Sequence, residues 1–220
     1  MKYGQEVRLG LLKGWNPNIK YYLIMLLARL KTWFFTVVVL ICAVGCEDEY
    51  AENAVTFIGD SLVSRWDTDY YFTSYTTYNY GVGGSGIKLI EQNKGNFTGQ
   101  TVVILTGTND IKLIVGDSEL DDYVNRYVNA IVQLKAKRII LISVLPKNLD
   151  SDKSNDINGL IRAFNKRIES NVSRMDFIVY CDVFEDFLLN GIMNMNLSFD
   201  GVHLNQYGYE ILTKKVKRFI

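Results

Sequence analysis

Five short β-branched or apolar runs, at 55–58, 76–80, 102–105, 139–144 and 177–180, do most to limit what this chain can fold into. Several are apolar on both alternate faces, which reads as strands buried from both sides rather than strands with one wet side. Between them lie apolar residues at helical spacing: Tyr123, Tyr127, Val128, Ile131 and Leu134, then Ile157, Leu160, Ile161, Phe164 and Ile168. A last helix is expected after Asn205, with Ile211, Leu212, Val216 and Phe219 inward. Strands alternating with helices bury both sheet faces as a parallel sheet sandwiched by helices. The expected fold is a three-layer α/β/α sandwich with a parallel, flavodoxin-like five-stranded sheet. Two prolines, no linker-like stretch and no internal repeat leave nowhere to cut the body, so 55–220 reads as one domain.

Sheets of this kind bind ligands beyond the carboxyl ends of their strands, where the chain order reverses. The segments just past the first three runs are Gly59-Asp60-Ser61-Leu62, Gly81-Val82-Gly83-Gly84 and Gly107-Thr108-Asn109-Asp110. All three are rich in glycine and small polar side chains, as backbone in close approach to a ligand requires. The chain has one histidine, His203, in Asp200-Gly201-Val202-His203 just before the last helix. Imidazole is the side chain that shuttles protons at neutral pH, and Asp200 is placed to accept a hydrogen bond from it. Taken alone, Asp-x-x-His also describes a surface histidine beside an aspartate, and Asp60-Ser61 also describes a plain helix cap. Yet a serine on the first turn after the first strand stands above the sheet with its own N–H free to face a ligand.

FIGDSL at 57–62, YGVGG at 80–84, GTND at 107–110 and DGVHL at 200–204 together resemble the four sequence blocks of the SGNH (GDSL-type) hydrolases, in order and at family-like spacing. The resemblance runs from about Val55 to the last helix. It implies a serine esterase with Ser61 as nucleophile, His203 as general base and Asp200 orienting the histidine. It also implies an oxyanion hole made by the N–H groups of Ser61 and Gly81 and the side-chain amide of Asn109. An asparagine donor aimed at the tetrahedral oxyanion suits acyl transfer, and Asp60 and Asp110 are expected in supporting hydrogen bonds. The expected substrate is a short-chain carboxylic ester, such as an acetylated glycan or a lysophospholipid. Two rivals are an O-acyltransferase using the same triad and a lipid-anchored glycan-binding protein with a dead site. No cofactor and no metal is called for.

Gly81-Val82-Gly83-Gly84-Ser85-Gly86 also spells the dinucleotide-binding G-x-G-x-x-G, but the strand that follows ends in Leu105-Thr106-Gly107, where the ribose-binding acid should stand. The aromatic stretch with Tyr70, Tyr71, Phe72, Tyr75, Tyr78 and Tyr80 suits sugar stacking or an acyl pocket, and equally an edge strand and core. The loops at 66–75, 111–120, 147–156 and 185–199 show no motif.

Upstream, Lys2, Arg8, Lys13, Lys20, Arg29 and Lys31 oppose only Glu6 and precede a 13-residue apolar run at 33–45. That is the layout of an export signal, with Met25 as an alternative start, and the run falls short of the ~20 residues of a membrane span. Ala43-Val44-Gly45-Cys46 resembles the lipobox of bacterial lipoproteins, which implies a lipid on Cys46, residues 46–54 as a tether, and an exported, envelope-anchored protein. Simple secretion after signal cleavage is the alternative. From Cys46 onward there are 18 basic and 23 acidic residues, a mildly acidic surface that argues against nucleic acid. Within the domain only Cys181 remains, which excludes an internal disulfide and reads as a small buried side chain.

Overall fold

In the computed structural model the five apolar runs are strands: β1 Ala54–Gly59, β2 Thr76–Gly81, β3 Thr101–Leu105, β4 Arg138–Ile142 and β5 Ile178–Cys181. They form one parallel sheet in the order β2-β1-β3-β4-β5. The structure describes residues 53–149 and 153–220, together with 19, 21, 22 and 25–31, which are helical. The chain divides into two units, Met1–Glu49 and Tyr50–Ile220. Among the described residues no helix is long and apolar enough to cross a membrane. The apolar run 33–45 and Cys46 lie outside the described residues.

Alternation along the strands explains the three layers. On one face Ile58, Val102, Ile104, Ile139 and Leu141 pack under the helices α3 (Ile87–Gln92), α4 (Asp117–Gln133) and α5 (Lys153–Val172). On the other, Val55, Phe57, Val103, Leu105, Ile140 and Ile142 meet α1 (Ser61–Ser64), α2 (Thr68–Tyr71) and α6 (Gln206–Val216). Both sets of strand residues are dry, which is why the runs lack a polar period. Trp66 Nε1 donates to Thr213 Oγ1 at 3.0 Å and Tyr209 OH to the Leu62 carbonyl at 2.8 Å, tying α6 to the segment that carries Ser61.

The fourth strand stops short of the run that marks it. The N–H and carbonyl of Val144 are both bonded by the side chain of Asn165 on α5, at 2.9 Å each, so the backbone leaves the ladder there. Within 185–199 the sequence hid a small hairpin, β6 Leu188–Leu189 and β7 Ile192–Met193. Its turn is Asn190-Gly191, both at positive φ (52° and 84°), the dipeptide that a tight hairpin turn favours.

The chain enters at β1, runs out to β2 at one edge, and returns past β1 to β3. The order therefore reverses between β1 and β3, and the crevice opens beyond Gly59 and Leu105.

Candidate active site

Ser61 sits at that crevice because Asp60 directly follows β1 and caps α1. The Asp60 side chain accepts from the Leu62 amide at 2.9 Å, and Ser61, as the first helical residue, keeps an N–H with no intrahelical acceptor. Asp60 is fully buried. Burial pushes its carboxyl up to about 6, against the pull of the Leu62 amide, Thr108, and the charges of Lys147 and His203. The Thr108 hydroxyl faces this carboxylate but stands beyond a full hydrogen bond. The fold thus favours the protonated form: that stabilisation is complete below the ordinary 3.8 and lost as pH rises through about 6. A gap of this size is worth about 3 kcal/mol. Asp60→Asn, which keeps the cap acceptor, is therefore expected to melt higher than wild type at pH 8, with the two converging near pH 4. A wild type that is the more stable at pH 8 contradicts this reading of Asp60.

His203 arrives on a loop wound around Asp200. Asp200 Oδ1 accepts from the amides of Val202 (2.9 Å) and His203 (2.7 Å), while Oδ2 lies 2.6 Å from His203 Nδ1. Burial works to raise this carboxyl, but the histidine ring and the two amides outweigh it and hold it at about 2. An ionised carboxylate only accepts, so Nδ1 carries the proton and Nε2 presents a lone pair. Nε2 lies 2.9 Å from Ser61 Oγ. Gly201 makes the turn possible: its φ is +83°, and a Cβ there would stand 2.1 Å from the Asn148 carbonyl. Ser198, buried, donates to the His203 carbonyl at 2.7 Å and accepts from the Gly201 amide at 2.9 Å. The structure thus brings Ser61, His203 and Asp200 into one hydrogen-bonded line.

The second and third loops meet over the same crevice, with one change from the expected donors. The Gly81 N–H is not open to a ligand: it donates to Asn79 Oδ1 at 2.9 Å. Glycine is needed at 81 for packing, because a Cβ would lie 2.2 Å from the Ser64 nitrogen. The Asn79 amide in turn donates to the carbonyls of Val63 (2.9 Å) and Trp66 (3.0 Å), clamping the end of α1 to β2. Two residues on, Gly83 is exposed with nothing within 4 Å of a Cβ placed there. Asn109 does not cap its own turn. Its Nδ2 donates across to the Ser85 carbonyl at 2.8 Å, which fixes the carboxamide and leaves its second N–H.

Supporting roles fall where the loops converge. Asp110 Oδ2 accepts from the Ile87 amide and from Tyr123 OH, each at 2.7 Å. The helix start after the glycine loop is thus held by a protein carboxylate, which is poor provision for a dinucleotide phosphate. Lys147, which sequence reasoning passed over, is buried, with Nζ donating to the Thr108 carbonyl at 2.6 Å. Burial and Lys112 lower its pKa, and Asp60 raises it. Of the aromatic stretch, Phe72 is core against Phe57 and Trp66, whereas Tyr70 and Tyr80 are exposed. Cys181 is buried, and burial lifts its thiol to about 11, which makes it inert.

Residues 57–211 match the sequence pattern of the GDSL-like lipase/acylhydrolase family. The N-acylneuraminate cytidylyltransferase of Escherichia coli O18:K1:H7 is 30% identical over 177 residues, covering 76% of this chain but 40% of that protein; the chain spans two fifths of that relative. Among solved structures, a GDSL-like lipase from Bacteroides thetaiotaomicron aligns with a TM-score of 0.60 at 22% identity, over 76% of this chain and 86% of its own. An acetylxylan esterase from Geobacillus stearothermophilus, solved as a catalytic mutant, aligns with a TM-score of 0.57 at 17% identity, over 77% and 94%. The match over most of the domain leads to one assignment, with which the sheet order and the shared fold accord: the chain belongs to the GDSL-like lipase/acylhydrolase family and is a hydrolase.

Proposed function

We propose that this protein is a serine esterase that removes short acyl groups, acetyl foremost, from a sugar hydroxyl through an acyl-Ser61 intermediate. The observation that carries the reading is the continuous line from Ser61 Oγ to His203 Nε2 (2.9 Å) and from His203 Nδ1 to Asp200 Oδ2 (2.6 Å). As Oγ attacks the ester carbonyl, its proton passes to Nε2, and Asp200 stabilises the imidazolium. The oxyanion that forms is held by the Ser61 N–H and the Asn109 amide, with the N–H of the exposed Gly83 taking the place expected of Gly81. Collapse expels the alcohol, which takes the proton from Nε2. Water then repeats the sequence on the acyl-serine and frees the acid.

Two names favour a sugar ester over a lysophospholipid: the Geobacillus neighbour is an acetylxylan esterase, and the E. coli relative is named for an N-acylneuraminate, a sugar acid. A panel of 4-nitrophenyl esters and acetylated sugars tests this. Turnover falling steeply beyond short acyl chains supports it, and preference for long-chain lysophospholipid overturns it.

The protein is exported and anchored by a lipid on Cys46, as the basic-then-apolar N-terminus and Ala43-Val44-Gly45-Cys46 suggest. Cys46→Ser is expected to move it from the membrane to the soluble fraction of a bacterial host without altering turnover. An unmodified Cys46 at the mature N-terminus, read by mass spectrometry, contradicts the anchor.

A further inference from the structure

Arg65, a cation beside the histidine loop, has no task in the proposed mechanism. Arg65 follows directly on α1, four residues after Ser61. Its guanidinium carbon lies 5.5 Å from the centroid of the Phe199 ring. Phe199 precedes Asp200 and stacks on the His203 imidazole, with centroids 5.9 Å apart and planes 14° apart. Phe199 is 57% exposed. Arg126, Arg162 and Arg167 are paired with Glu91, Glu185 and Asp117; Arg65, like Arg138, Arg174 and Arg218, makes no ion pair among the described residues, and of these four it is the one that lies against Phe199 beside the histidine.

We propose that Arg65 and Phe199 form a subsite for the alcohol part of the substrate, and that this alcohol is a sugar ring bearing a carboxylate. The reasoning rests on the esterase reading and follows the proton. His203 Nε2 must reach the leaving oxygen, so the alcohol lies at the Nε2 edge of the imidazole, and what flanks the imidazole flanks the alcohol. On that side stands an aromatic side chain more than half exposed, which offers apolar surface to a pyranose. Beyond it stands a guanidinium whose planar fork matches a carboxylate with two parallel hydrogen bonds. In a domain with an acidic excess, an unpaired arginine beside the catalytic histidine also draws an anionic substrate to the one place where it reacts.

The test compares kcat/KM for an acetylated methyl glucuronide carrying its free carboxylate with the same sugar capped as the carboxamide. A second pair, 4-nitrophenyl hemisuccinate against 4-nitrophenyl butyrate, places the charge on the acyl side instead. Wild type is expected to favour the free carboxylate on the sugar about tenfold or more, the size of a charge-assisted hydrogen bond. Arg65→Gln brings that ratio close to one, Arg65→Lys retains part of it, and Phe199→Leu raises KM for both sugar esters. A ratio that is the same in wild type and Arg65→Gln overturns the subsite, as does a charge preference confined to the hemisuccinate. Failure of wild type to turn over any ester, 4-nitrophenyl acetate included, removes the esterase reading and the subsite with it.

Discussion

Ser61→Ala and His203→Ala each abolish nearly all turnover of a 4-nitrophenyl ester, by about 10⁴–10⁶-fold, and the double variant loses little more than either single one. The reason lies in the line of contacts. Ser61 Oγ attacks only while Nε2 takes its proton, and Nε2 is aimed only while Nδ1 is held at 2.6 Å by Asp200. Once any link is cut, the remaining two have nothing to act on, so their losses do not add. Stability is expected to stay near wild type, because neither side chain fills the core and the His203 loop is held by backbone and Asp200 contacts. Losses that multiply in the double variant, or near-normal rates in Ser61→Ala, contradict the triad.

Asn109→Ala lowers kcat by about 10²–10³, on the order of 3 kcal/mol, while KM moves little. The charge that its N–H meets develops only as attack proceeds, so the bond is stronger in the transition state than with the bound ester. Asn109 also spans two loops through the Ser85 carbonyl at 2.8 Å, and losing that contact lowers the melting point. The two roles separate in the kinetics: a bridging residue costs folded protein, an oxyanion donor costs turnover per folded molecule. Asn109→Asp is worse still, since a carboxylate offers no donor and repels the forming oxyanion. A kcat within about threefold of wild type removes Asn109 from the hole.

The centre of the sheet was legible because β1, β3 and β4 are buried on both faces, so Ile58, Ile104 and Leu141 on one side and Phe57, Val103 and Ile142 on the other leave unbroken apolar runs. The nucleophile and histidine loops were legible because Gly59-Asp60-Ser61 and Asp200-x-x-His203 are local patterns in which neighbouring residues satisfy one another. Contacts made across the chain left less of a trace. Lys147 reaches the Thr108 carbonyl from a different loop, and Arg65 meets Phe199 across more than a hundred residues. Two signals were present and unread. An asparagine side chain commonly binds the amide two residues on, as Asn79 does to Gly81, and Asn190-Gly191 marks a hairpin. Met1–Glu49 is a separate unit, and the membrane question rests on the sequence there.

Mass spectrometry of the protein after treatment with a fluorophosphonate tests the central claim most directly, because this reagent phosphonylates only a serine whose neighbours have made it nucleophilic. The account predicts one adduct, on the peptide containing Ser61, with esterase activity lost in proportion to labelling and no adduct in His203→Ala. Labelling of a different residue, or full activity after Ser61 is modified, contradicts it.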